Sequence, residues 1–242
     1  MIPLQKRDSK DLMDKYPFNE SILSIDSFQY TVHQEGSVEN SHASSQILPG
    51  TVHLKNRMYQ TCWSWVQLNY LFNKEIPDEE WHISPGRNGE SVEFLPNFEK
   101  RHYLIKAQFN YFADIFYYKL FSAWDNLGHI LNNMYELKIE RANFYEAVKT
   151  LKDVKSDLHD NLNNLIESDD FKKMRKYRHS STHNELIGLI NSGFTKVSEN
   201  HYTAGFQEYV TSSQIKDNAD KSLNLITQAI KFIKEQVQSD MT

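Results

Sequence analysis

One long apolar rhythm determines the fold class of this chain more than any other feature. Between residues 98 and 137, apolar side chains recur every three or four positions, and no proline interrupts them. Side chains at that spacing lie on one face of a helix, so the pattern predicts a long amphipathic α-helix. The repeating residues are Ile105, Phe109, Phe112, Phe116, Leu120, Trp124, Leu127, Leu131 and Met134.

The C-terminal half of the chain contains further segments with the sequence pattern of helices. A second three-and-four rhythm over residues 215–237 predicts another long helix, capped by Ser212 or Ser213. Residues 143–154 and 156–167 predict two shorter helices or one bent helix. Ser168 is followed by two aspartates, a combination typical of a helix start. The sequence therefore predicts an all-α antiparallel bundle over residues 98–242.

Two regions depart from this pattern. Short β-prone pieces around residues 199–200, separated by glycines, predict a small hairpin inserted between helices. Residues 1–97 are predicted to form an N-terminal extension, irregular over its first 50 residues and helical at about 51–73. A loop rich in proline and glycine follows at 76–97, and its length suggests that it covers the bundle or lines a site.

Several classes of protein are excluded. A single cysteine, Cys62, rules out an internal disulfide and a four-cysteine metal site, and its tryptophan neighbours favour buried packing. The N-terminus lacks the apolar segment of a signal peptide, and no apolar run reaches the length of a membrane span. We therefore expect a cytoplasmic protein without a membrane partner. No glycine-rich loop ends in the Gly-Lys-Ser/Thr of a P-loop.

The basic run after Ser168 is the strongest candidate for function. Five of the seven residues from 172 to 178 are lysine or arginine, in a chain whose net charge is −5. One interpretation is a phosphate-binding segment, in which the cations hold a nucleic-acid backbone without sequence preference. The other is a solvated helix face whose apolar residues turn inward, namely Phe171, Met174 and Tyr177.

Groups suited to phosphate chemistry follow this run directly. Arg178 and His183 are separated by four residues, and His179 stands four before His183. Histidine transfers protons near neutral pH, and the arginine fork matches phosphate oxygens, so the set suits RNA cleavage through the 2′-hydroxyl. On a straight helix, Arg178 and His183 would lie about 140° apart around the axis. A helix end or kink near residues 180–182 would bring them together.

These residues resemble a known motif. The stretch from Arg178 to His183 is similar to the Arg-(four to six residues)-His motif of the HEPN superfamily, where a polar residue such as His179 often follows the arginine. The aromatic helix around Trp124 resembles the helix that opens the HEPN bundle, and the loop at residues 85–90 precedes it as in a bacterial HEPN subfamily. The resemblance covers about residues 98–239.

The resemblance implies a homodimer in which the Arg/His motifs of both subunits line one cleft. Active members are metal-independent endoribonucleases of toxin or phage-defence type that need no cofactor, while others bind RNA or nucleotides without cutting. An antitoxin or regulatory protein is a further implied partner. Arg178, His179 and His183 would then be catalytic, and RNA would be held by Lys172, Lys173, Arg175 and Lys176.

Two functional alternatives and the orientation of one polar pair stay open. His179 and His183 at helical spacing, joined by His129, could hold a metal ion in a helical bundle, although the glutamate of a zinc-protease motif is absent. Asp125 and Asn126 lie beside Trp124 in the apolar helix, either at its polar border or facing the cleft. A non-catalytic module that binds RNA, nucleotide or protein is the other functional alternative.

Overall fold

Helices dominate the computed structural model, which describes residues 6–14, 24–25, 28, 38–183, 187–190, 192–198, 201–206 and 209–240. This confirms the predicted fold class, an all-α bundle. In chain order the helices are α1 (Lys6–Met13), α2 (Val38–Phe72), α3 (Lys100–Met134), α4 (Phe144–Leu151), α5 (Ser156–Glu167), α6 (Asp169–His183) and α7 (Ser212–Asp240).

Two short antiparallel strand pairs interrupt the helices. Strands β1 (His82–Ile83) and β2 (Glu93–Phe94) pair within the loop between α2 and α3. Strands β3 (Ser192–Ser198) and β4 (His201–Phe206) form the hairpin that was predicted between α6 and α7. The turn residues 199–200 lie outside the described part of the chain.

Helix α3 is the long helix that the apolar rhythm predicted. At its start, the backbone N–H of Glu99 donates to His102 Nδ1 at 2.9 Å, so the histidine satisfies an amide that the helix leaves unpaired. The residues at the predicted spacing, such as Phe109, Phe116 and Leu127, are fully buried. The apolar residues of the repeat therefore mark the face of α3 that packs in the core.

Helix α2 is longer than predicted, and the first 50 residues are not uniformly irregular. It begins at Val38 instead of near residue 51, and it contains Pro49. The prediction was wrong there because its first turns are polar and because proline and glycine at 49–50 usually end a helix. Helix α1 was missed for a similar reason, since its eight residues are mostly charged and too short to show a period.

The shorter helices follow the predicted starts. The Asn143 side chain accepts from the Glu146 N–H at 3.0 Å and caps α4, and Ser168 Oγ accepts from the Phe171 N–H at 3.3 Å at the start of α6. Gly128 lets the start of α4 approach α3 closely, because a Cβ there would lie 2.3 Å from the Asn143 carbonyl carbon. Of the two predicted possibilities for residues 143–167, the structure has two separate helices, α4 and α5.

The loop after α2 is anchored by a buried carboxylate. Asp78 is fully buried, and its Oδ2 accepts from Lys106 Nζ of α3 at 2.7 Å and from the Tyr209 hydroxyl at 2.7 Å. The backbone N–H of Ser212, at the start of α7, donates to the same oxygen at 3.0 Å. Because buried charges need such partners, this cluster fixes the loop against α3 and α7.

One hydrophobic core joins the elements. This core contains side chains from residues 1–97 and from residues 98–242. The predicted division of the chain into an N-terminal extension and a bundle at this boundary stays a prediction. Trp65 Nε1 of α2 donates to Asp220 Oδ1 of α7 at 2.7 Å, and Cys62 is buried as expected. None of the described helices combines the length and the apolar character needed to cross a membrane.

Candidate functional site

Helix α6 separates apolar and cationic side chains around its axis. Phe171, Met174 and Tyr177 are buried against the core, as the second interpretation of the basic run required. The cations remain on the outside: Lys172, Arg175 and Lys176 are exposed, and Arg178 is half-buried. The inward apolar face and the outward basic face coexist, so burial on one side does not decide against phosphate binding on the other.

A surface depression of about 500 Å³ gathers most of the predicted site residues. We call it the arginine depression. Its lining includes Arg178 and His179, which the motif singled out, together with three of the four predicted RNA-binding cations. The full lining is Phe121, Lys172, Arg175, Lys176, Arg178 and His179. Lys173 is not part of it and lies towards the other side of α6, where it lines a second depression.

Phe121 of α3 forms the apolar wall of the arginine depression. The guanidinium carbon of Arg178 lies 5.7 Å from the centre of its ring, within the range of a cation–π contact. This contact ties the side chain of Arg178 to a helix whose other face is part of the core. Sequence reasoning missed Phe121 because an aromatic residue within an apolar rhythm is expected in the core.

Asp125 lies one helical turn beyond Phe121 and within electrostatic reach of Arg178. Partial desolvation raises the pKa of its carboxyl, whereas the positive charges of Arg178 and His129 act in the opposite direction. The structure therefore brings Asp125 towards Arg178, which the sequence left undecided. Asn126 is half-exposed on α3, and neither Asp125 nor Asn126 lines the arginine depression itself.

The backbone of α6 continues without a break to His183. The polar side chains at residues 180–182 do not interrupt the helix, whose end at His183 lies one position beyond the expected one. That this end brings Arg178 and His183 together stays a prediction. On this unbroken helix, positions 178 and 183 lie about 140° apart around the axis. The side chain of His183 lies outside the described part of the structure, and its catalytic role stays a prediction.

The described part of the structure adds no further ligand to the predicted metal site. Among the side chains that the structure describes, no three His, Cys, Asp or Glu residues come together as metal ligands. His129 is exposed on α3, where it acts electrostatically on Asp125. Because the third predicted ligand, His183, has no described side chain, the set of His129, His179 and His183 stays a prediction.

Comparison with known proteins agrees with the architecture. Neither the curated proteins nor the solved structures gave a match to this chain. The sequence model of the HEPN_Cthe2314-like HEPN family matches residues 50–239, which include α3, α6 with its Arg178 and His183 positions, and α7. A match of that extent covers more than half of the chain. The protein therefore belongs to the HEPN_Cthe2314-like HEPN family.

Proposed function

We propose that this protein binds RNA and cuts it without a metal ion, by attack of a 2′-hydroxyl on the neighbouring phosphate. The observation that carries the proposal is the arginine depression, where Arg178 and His179 share one surface with Lys172, Arg175 and Lys176. Phosphate contacts of this kind supply affinity without sequence readout. Membership of a HEPN family supports the same class of ligand.

Each residue of the motif has a distinct role in the proposed reaction. A base removes the 2′-hydroxyl proton, the oxygen attacks phosphorus, and the 5′-oxygen leaves with a proton, which gives a 2′,3′-cyclic phosphate and a free 5′-hydroxyl. His183 transfers protons, because imidazole exchanges them near neutral pH. Arg178 binds the phosphorane oxygens, whose added negative charge its guanidinium fork stabilises. His179 supports the site as a neighbouring polar group.

We further propose a homodimer whose cleft combines Arg178 of one subunit with His183 of the other. A single unbroken α6 separates the two positions by about 140°, which favours a site shared between two chains. Helix α3 also presents an exposed apolar stripe at seven-residue intervals, Leu104, Tyr111 and Tyr118, which are 54%, 57% and 55% exposed. The next position of this stripe is Asp125, so packing there would bring two arginine depressions together.

Cleavage of labelled RNA in EDTA tests the proposed reaction. We expect the unaltered protein to release products with cyclic-phosphate ends, and Arg178→Ala or His183→Ala to abolish the release. His53→Ala is the matched control, because His53 is exposed on α2 outside the motif. Circular dichroism of each variant verifies that the helical fold is retained.

The outcome separates the remaining alternatives. RNA binding without cleavage by the unaltered protein would replace the nuclease by a non-catalytic RNA-binding module. Cleavage that disappears in EDTA and returns with added metal would favour the three-histidine metal site. Toxin or phage-defence activity, with an antitoxin or regulatory protein as partner, belongs to the proposal as the setting that the resemblance implies.

A further inference from the structure

A second depression, of about 320 Å³, lies on the other side of α6 from Arg178. We call it the lysine depression. Lys172 and Lys176 line both depressions, since they form the ridge between them. Lys173 lines only the second, together with residues that lie near the start of α7. Its full lining is Lys172, Lys173, Lys176, Tyr177, Val210 and Gln214.

The lysine depression combines cations with an apolar floor. Lys173 Nζ lies 5.7 Å from the centre of the Tyr177 ring, which holds the ammonium group over the floor. Tyr177 is buried and Val210 is half-buried, so packing against the core fixes the position of the floor. Glu167 pairs with Lys172 at 2.9 Å, but both side chains are more than half exposed, and such a pair contributes little.

Gln214 adds a neutral hydrogen-bonding group at the rim. Its Oε1 accepts from the Thr211 N–H at 3.0 Å, which leaves the amide nitrogen with its two hydrogens for a ligand. At the start of α7, the Ser212 N–H donates to Asp78 and the Gln214 N–H donates to Thr211 Oγ1 at 3.3 Å, so both amides already have acceptors. The positive charge that attracts an anion here comes from the lysines.

We propose that the lysine depression is a subsite for the nucleotide next to the phosphate bound at Arg178. Its phosphate binds Lys173 and Lys176, its ribose or base packs on Val210 above the buried Tyr177, and Gln214 donates a hydrogen bond. A single RNA strand then crosses α6 over the ridge, with neighbouring phosphates on either side. This subsite rests on the proposed RNA-binding function and extends it to a defined path.

Binding of a fluorescein-labelled, fully 2′-O-methylated single-stranded RNA tests the subsite, since this probe lacks the hydroxyl needed for cleavage. Fluorescence anisotropy over a range of salt concentrations gives the affinity and its salt dependence. Loss of one phosphate contact lowers the slope of log K against log salt by about 0.7 for a single strand. We expect that reduction for Lys173→Ala, with binding that is severalfold weaker at low salt.

Two further variants make the test specific. Lys231→Ala removes the same charge from an exposed position of α7, and we expect its affinity and slope to equal those of the unaltered protein. Gln214→Glu keeps an acceptor for the Thr211 N–H and replaces the donor by a carboxylate, so we expect severalfold weaker binding with an intact fold.

The results distinguish failure of the subsite from failure of the proposed function. If Arg178→Ala weakens binding while Lys173→Ala and Gln214→Glu behave like Lys231→Ala, the subsite is overturned and RNA binding stands. If Arg178→Ala also behaves like Lys231→Ala, or the unaltered protein does not bind the probe, both proposals fall together.

Discussion

The carboxyl group of Asp125 is held where its negative charge is disfavoured. Its pKa is raised above the ordinary value of 3.8 because desolvation outweighs the attraction of Arg178 and His129. A carboxyl whose pKa is raised by folding destabilises the folded state once it ionises. That cost is absent below the ordinary pKa, grows as the pH rises towards the folded-state pKa, and is complete above it.

We therefore expect Asp125→Asn to stabilise the protein at neutral pH. The neutral amide removes the desolvation cost, and because Asp125 is partly exposed, the melting temperature should rise by only about 1–2 °C. The gain should shrink as the pH is lowered towards 3.8. Thermal unfolding at several pH values measures it, and a gain that does not change with pH would assign the effect to packing instead.

Gly128 allows a close approach that no other residue permits. A Cβ at this position would lie 2.3 Å from the Asn143 carbonyl carbon and 2.4 Å from the Phe144 nitrogen, both of them backbone atoms. We expect Gly128→Ala to destabilise the protein by about 2 kcal/mol, a decrease of about 4–8 °C in melting temperature. Gly205→Ala is the control, because a Cβ there meets no atom within 4 Å. Equal stability of the two variants would contradict this account.

Single residues differ in how visible their roles are in the sequence. The basic run of α6 was predictable because a local excess of lysine and arginine is visible without any structure. The place of Phe121 was not, because an aromatic residue has the same spacing whether it faces the core or Arg178. Lys106 was equally hidden, since its partner Asp78 lies 28 positions away.

At the level of elements, the cluster of Asp78, Lys106, Tyr209 and Ser212 connects a loop to two helices. Burial lowers the pKa of Lys106, and the carboxylate of Asp78 partly restores it. Burial and the same carboxylate raise the pKa of the Tyr209 hydroxyl, which therefore keeps its proton as a donor. The cluster is stable only as a unit, because each charge is buried with its partner.

We expect Asp78→Asn to destabilise the protein by about 3–5 kcal/mol, because it leaves the buried ammonium of Lys106 without a counter-charge. The double variant Asp78→Asn/Lys106→Met should recover part of this loss, since it removes both charges. Chemical denaturation of the two single variants and the double variant gives the coupling energy. Additive effects of the two substitutions would show that the pair does not act as a unit.

Helix positions were predictable where burial imposes a period, and helix ends were not. Helices α3 and α7 have one buried face each, so their apolar spacing located them. The start of α2 has a polar sequence ahead of Pro49, whereas its later part has buried positions at regular spacing, such as Leu54, Met58 and Trp65.

The proposed dimer makes a prediction about the whole molecule. If Arg178 of one subunit acts with His183 of the other, a mixture of Arg178→Ala and His183→Ala proteins should regain activity that neither has alone. After exchange of equal amounts, half of the dimers are mixed and each has one intact site, which predicts about a quarter of the unaltered activity. Cleavage by the refolded mixture measures this. A mixture that stays inactive would contradict the shared site.

The buried thiol of Cys62 can report how often the structure around it opens. Burial keeps the side chain from solvent and raises its pKa, so a thiol reagent cannot react with it in the closed state. Because the chain has no other cysteine, every labelling event reports an opening around α2. Labelling rates with and without RNA would therefore show whether a ligand at α6 slows the motions of α2, a helix that packs on α3 as α6 does.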